Sequence, residues 1–108
     1  MEELPTISVQ QLEEALKSGA SLTLLDVRED NEVAQSSLPD SIHIPLGVLP
    51  LRISELNITE PVAVICRSGG RSARATAFLI ANGFIASNVQ GGMLAYREQI
   101  APALPPVL

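Results

Sequence analysis

The stretch Pro61-Val-Ala-Val-Ile-Cys66-Arg-Ser-Gly-Gly-Arg71-Ser72-Ala-Arg74 decides the fold. Pro61 to Ile65 is apolar and rich in β-branched residues, with no polar position to alternate with. That pattern predicts a strand buried on both faces. Gly69 and Gly70 then allow a tight curl that bulkier residues resist. From Ser72 to Asn82 the chain is Ala-rich and helical in pattern, and Gly83 supplies a left-handed stop. A buried strand, a glycine loop and a helix in that order form half of a parallel βα unit. Such loops lie at the carboxyl edge of the sheet, where α/β folds bind ligands.

The same alternation extends in both directions. Thr6 to Val9 is a short extended start, and Ser8 with Gln11 reads as a capping box. Leu12, Ala15 and Leu16 share one helical face, and Gly19 closes that helix. Leu22 to Val27 is a second buried strand, with Asp26 and Arg28 at its carboxyl end. A short helix is expected over Asp30 to Gln35 and a short strand over Ile42 to Ile44, stopped by Pro45. Leu49 to Leu56 predicts a helix with Pro50 near its start. Asn88 to Gln90 predicts a last strand, and Gly91-Gly92 turns the chain into a helix from Met93 to Ile100. Residues 101–108, proline-rich from Pro102, are expected to form an extended or mobile tail. These elements predict an α/β domain in three layers over residues 1–108, a mainly parallel five-stranded sheet flanked by helices.

Composition narrows the function. The 108 residues are 46% hydrophobic and only 3% aromatic, so the core must be aliphatic. The net charge of −5 disfavours nucleic acid and anionic membranes as partners. Arg67, Arg71 and Arg74 are a local exception, and one basic spot on an acidic chain suits a small anionic ligand. With one cysteine and one histidine, no intrachain disulfide forms, and a zinc site would need carboxylates. No metal or cofactor is called for. The opening MEELPTISVQQL lacks the pattern of a secretory signal, and no apolar run is long enough to span a bilayer. The expected compartment is therefore the cytoplasm, where a free thiol survives.

Cys66 opens the glycine loop. Successive N–H groups of such a loop can converge into an anion-binding nest, and the following helix adds roughly half a positive charge. A thiol there is expected to ionise below its usual value of about 8.5. Cys66 is then a candidate nucleophile for a two-step transfer, with Arg67, Ser68, Gly69, Gly70, Arg71 and Ser72 as the binding loop. A lone cysteine after an apolar strand is more often a small buried hydrophobe. The ordered set of strand, glycines, arginines and helix start favours the nucleophile. A phosphate-binding P-loop is excluded because no Gly-Lys-Ser/Thr follows at its spacing.

Several ordered blocks resemble the rhodanese family: Leu24-Leu-Asp26-Val-Arg28-Glu29, Ile42-His-Ile-Pro45-Leu46, the loop Cys66 to Ser72, the helix to Gly83-Phe84, and Gly91-Gly92-Met-Leu-Ala-Tyr96. The resemblance covers roughly Thr6 to Glu98. It implies a sulfurtransferase that carries sulfane sulfur as a Cys66 persulfide, with loop amides and Arg71 on the substrate anion. Arg67, beside the nucleophile, favours an anionic donor such as thiosulfate. The implied acceptors are a thiol, cyanide or a protein thiol. The chain departs from the family at Ser36-Ser37, where Gly-His is usual, at Pro39-Asp40 for Pro-Gly, and at Tyr96 for a closing Trp.

Two other functions compete. Related folds act as phosphatases on a Cys-x-x-x-x-x-Arg loop, but here Arg71 follows Cys66 with one residue fewer between, and the tighter loop suits sulfur better than phosphate. A non-catalytic module, or a carrier working only with a protein partner, is the other alternative, and the intact loop argues against an inactive one. Asp26 and Arg28 are supporting residues. Asp26 reads as a structural ion pair or cap, and Arg28 as either that or a loop-orienting group. His43 reads as a polar strand residue, Asp30, Asn31 and Glu32 as a solvated helix start, and Arg74 as a rim charge.

Overall fold

The computed structural model describes residues 3–108. The elements run β1 (Thr6–Ile7), α1 (Val9–Lys17), β2 (Thr23–Asp26), α2 (Asp30–Gln35), β3 (Ile42–His43), α3 (Leu49–Arg52), β4 (Val62–Ile65), α4 (Gly70–Ala81), β5 (Ala86–Val89) and α5 (Gly92–Gln99). The strands form one five-stranded sheet in the order β1-β5-β4-β2-β3, and every neighbouring pair is parallel. Central β4 pairs Ile65 with Asp26 of β2 and Val64 with Asn88 of β5.

Strand alternation divides the core into two clusters. Leu25, Val27, Val62, Val64 and Cys66 point to one face, where they meet Leu49, Ala75 and Leu79. Leu24, Ala63 and Ile65 point to the other, against Val9, Leu12, Met93 and Tyr96 from α1 and α5. Fully burying such a side chain contributes roughly 1.5–3 kcal/mol. Cys66 continues the β4 alternation one step past the strand, which directs its side chain towards the start of α4.

Local signals explain most boundaries. Ser8 Oγ accepts from Gln11 N–H at 3.0 Å, and Gln11 Oε1 accepts from Ser8 N–H at 2.9 Å, the capping box expected from sequence. Four segments differ. Strand β5 runs Ala86–Val89, so it starts two residues before the expected Asn88 and ends before Gln90, where the chain already turns. The helix expected over Leu49 to Leu56 is α-helical only to Arg52, with 3-10 turns at Leu46–Val48 and Ile53–Glu55 on either side. Arg52 donates to Glu55 at 2.8 and 3.0 Å, an i to i+3 pairing that suits the tighter turn. Helix α4 begins at Gly70, two residues before Ser72. Gly69 takes the N-cap position with φ of 118°, so the reversal is made by glycine rather than by a serine cap. The carboxyl-terminal tail is docked, since Leu104 and Val107 pack on the α1/α5 cluster and the Leu104 carbonyl accepts from Arg97 Nε at 2.8 Å.

The family departures find physical counterparts. Asp40 adopts φ of 62°, the left-handed conformation that glycine takes freely and aspartate tolerates better than most residues. The Tyr96 hydroxyl donates to Glu13 Oε1 at 2.8 Å, so the smaller ring keeps its polar end satisfied. Burial and the adjacent Glu13 carboxylate push that phenol up to about 12.

Candidate functional site

Cys66 is 1% exposed, at the floor of the loop that joins β4 to α4. Its Sγ accepts the Gly69 N–H at 3.1 Å and lies 3.1 Å from Ser72 Oγ. The backbone N–H groups of Ser68 and Ser72 also act on the sulfur. Burial is the strongest single influence and pushes the thiol up. The Ser72 side chain and the amides of Ser72, Gly69 and Ser68 together outweigh it, and the thiol ionises below its ordinary value. The loop is thus a half-ring of donors around one sulfur atom.

A second element closes the loop from behind. At the start of α5, Met93 N–H donates to the Cys66 carbonyl at 2.8 Å and Leu94 N–H to the Arg67 carbonyl at 3.1 Å. Helix-start amides that would lack partners thereby anchor the loop that opens at Cys66. The approach needs Gly92, whose φ is 57°. A Cβ there would lie 2.4 Å from the Cys66 carbonyl oxygen and 2.6 Å from that of Arg67. Gly92→Ala should therefore destabilise the fold by about 3 kcal/mol and slow Cys66 chemistry. Gly70→Ala, with ordinary φ and open space at its Cβ, should stay within about 1 kcal/mol of wild type. Denaturant midpoints of the two variants check this, and equal midpoints would contradict the anchoring role.

The loop arginines part company. Arg67 is exposed, and its Nε donates to the Leu108 main-chain oxygen at 2.8 Å. Arg71 is half-buried and forms a two-pronged pair with Glu32 at 2.6 and 2.8 Å. That guanidinium holds the Glu32 carboxyl down at about 2, against the opposing effect of partial burial. Glu32 also accepts the Glu29 N–H at 3.0 Å. Expected to be solvated, Glu32 is instead the partner of the loop arginine, because α2 packs beside the start of α4. Arg74 is exposed on the rim. It shares with Arg71 the wall of a groove of about 460 Å³ that also includes Leu46, Pro50 and Phe78.

Asp26 and Arg28 lie beneath the site. Arg28 is 0% exposed, donates to Asp26 through Nε and Nη2, and gives Nη2 also to the Ser36 carbonyl at 2.7 Å. In this position its bonds hold the β2–α2 connection. His43 Nε2 lies 2.6 Å from the Arg28 carbonyl oxygen, which ties it to the same connection.

One residue that holds the loop escaped the sequence reading. Asn88 of β5 donates through Nδ2 to the Gly69 carbonyl at 3.1 Å and accepts the Ser72 hydroxyl at Oδ1, 2.5 Å away. Its only sequence signal was its place beside β4, which requires the sheet order to be known.

Comparison with known proteins agrees with this arrangement. The Rhodanese-like domain family matches residues 8–99. This chain belongs to the rhodanese-like family. A sulfurtransferase of Allochromatium vinosum is 33% identical over 101 residues, covering 93% of this chain and 94% of the relative. The thiosulfate sulfurtransferase GlpE of Pseudomonas syringae is 31% identical over 98 residues, covering 90% and 91%. Among solved structures, a rhodanese-related protein of Thermoplasma volcanium superposes with a TM-score of 0.83 at 35% identity, over 96% of this chain and 97% of that one. The chain is a sulfurtransferase, and Cys66 is its single cysteine. Among the described residues no helix is long and apolar enough to cross a membrane.

Proposed function

We propose that Cys66 takes sulfane sulfur from a small anionic donor, thiosulfate first among them, and passes it to a thiol, cyanide or protein-thiol acceptor in a reducing cytoplasm. The observation that carries this reading is the ring of Ser68, Gly69 and Ser72 donors around Sγ. The Cys66 thiolate attacks the outer sulfur of thiosulfate. A Cys66–sulfur bond forms, the sulfur–sulfur bond of the donor breaks, and sulfite leaves with the electron pair. The negative charge moves to the terminal sulfur of the persulfide. An acceptor nucleophile then attacks that sulfur and releases the thiolate. The name of the Pseudomonas syringae relative supports thiosulfate as donor.

Glu32 decides how much of Arg71 the donor feels. Both prongs of Arg71 are engaged by the carboxylate, so an incoming anion must share the guanidinium with it. Glu32→Gln should lower KM for thiosulfate roughly fivefold, the factor for about 1 kcal/mol, and leave unchanged the rate at which Cys66 forms a mixed disulfide with an uncharged organic disulfide, a step that releases the reagent's other half as a thiolate. The Glu32 carboxyl is held down at about 2, so its pairing with Arg71 persists above its unfolded value and is lost only as pH falls towards 2. The wild-type ratio of these two rates should accordingly be flat between about pH 5 and 8. Intact mass reads both, as one added sulfur atom from thiosulfate and as the mixed disulfide from the neutral reagent. No added sulfur atom from thiosulfate in wild type would sink the proposed reaction, and an unchanged KM would remove Arg71 from donor binding.

A further inference from the structure

Ser72 Oγ stands between two acceptors, 3.1 Å from Cys66 Sγ and 2.5 Å from Asn88 Oδ1. A serine hydroxyl carries one proton. The orientation of the Asn88 amide is fixed, because Nδ2 donates to the Gly69 carbonyl at 3.1 Å and the flipped amide would set two oxygens against each other. An acceptor therefore always faces Ser72. Ser72 is 0% exposed, so bulk water does not supply a second donor at this hydroxyl. Sulfur and amide oxygen compete for one proton.

We propose that Asn88 is a positioning residue that makes the Ser72 hydroxyl a two-position donor, turned to Sγ in the Cys66 thiolate and to Asn88 Oδ1 in the persulfide. In the resting thiol, S–H donates to Ser72 Oγ and the hydroxyl donates to Asn88. When the thiol proton leaves for solvent, the hydroxyl turns to the charged sulfur and Oδ1 loses its donor. On sulfur uptake, Sγ bonds to the incoming sulfur and the negative charge passes to the terminal atom. The hydroxyl then returns to Asn88, and the loop amides are left to hold the terminal sulfur. Asn88 thus disfavours the free thiolate relative to both the thiol and the loaded form. The loaded-state half of this cycle rests on the persulfide reading, whereas the thiol half does not.

Other charges around the sulfur stay constant in the test. Arg67 lies on the loop and Arg71 in the first turn of α4, Glu29 caps α2 and Glu32 lies within it, and the Asp26–Arg28 pair stands at the carboxyl end of β2. Strand β5 and the first turn of α5, Gly92 to Ala95, contribute no ionisable group.

The test is a double-mutant cycle on the Cys66 pKa, read by thiolate ultraviolet absorbance without any sulfur donor. Cys66 is the only thiol, Trp is absent, and the Tyr96 phenol at about 12 stays clear of the signal. Asn88→Leu should raise the thiolate-to-thiol ratio about tenfold, a fall of about one pKa unit. In the Ser72→Ala background the same change should shift the ratio less than twofold. An equal shift in both backgrounds would overturn the proposal and reduce Asn88 to an anchor for Gly69. So would no shift in either. Asn88→Ala replaces Asn88→Leu in the cycle if the larger side chain prevents folding. Failure of wild-type sulfur loading would remove the proposed function and the loaded-state half of the cycle with it, whereas the thiol half stands or falls by the titration, which uses no donor.

Discussion

Cys66→Ser should gain no sulfur on incubation with thiosulfate, while wild type gains the mass of one sulfur atom. The contrast is unusually clean because Cys66 is the only cysteine, so no second thiol can pick up the label. Serine keeps a hydrogen-bonding group within reach of Gly69 N–H and Ser72 Oγ, and the fold should survive. The hydroxyl is lost as a nucleophile because it stays protonated where the thiol ionises. The Ser68, Gly69 and Ser72 donors that bring the thiol below its ordinary value cannot bring an alcohol into range. Thiocyanate formation from thiosulfate and cyanide should fall to the uncatalysed rate. In wild type, loading should rise with pH up to the depressed thiol value and level off above it, falling about tenfold per unit on the acid side. Sulfur transfer that persists in Cys66→Ser would place the chemistry elsewhere.

The legible and illegible parts of this protein divide by range. Short-range chemistry was readable: Ser8 with Gln11, the α4 stop at Asn82-Gly83, and the two buried strands all depend on residues a few positions apart, and the structure places them as expected. Cys66 was readable because its strand, glycines and helix are contiguous. Glu32 and Asn88 were not, since they reach Arg71 and Gly69 across 39 and 19 positions. Each looked ordinary in sequence, one as a solvated acid and the other as a strand residue. The start of α4 was misplaced for a related reason. Ser72 has the side chain of an N-cap, but its hydroxyl is claimed by Cys66 and Asn88, and Gly69 makes the turn. A serine hydroxyl held between Cys66 and Asn88 cannot be told from a free one by spacing alone.

A pair only two residues apart gives the largest stability effect. Arg28→Met should cost about 3–5 kcal/mol, because it strands the Asp26 carboxylate, 1% exposed, with no cation. The Ser36 carbonyl also loses its donor at 2.7 Å. Against a total of roughly 5–15 kcal/mol for a domain, such a loss removes much of the margin. The cost comes from the charge left behind, so Asp26→Leu together with Arg28→Met should recover most of it, as a well-packed apolar pair can replace a buried ion pair. Neither effect should depend much on salt, because a pair without solvent contact is poorly screened. Urea midpoints of the two single variants and the double variant decide the matter. If Arg28 served substrate rather than structure, Arg28→Met would keep a wild-type midpoint and lose sulfur loading. The opposite pattern is expected: a large fall in midpoint, with loading per folded molecule largely retained, because Arg28 meets the loop only through the β2–α2 connection.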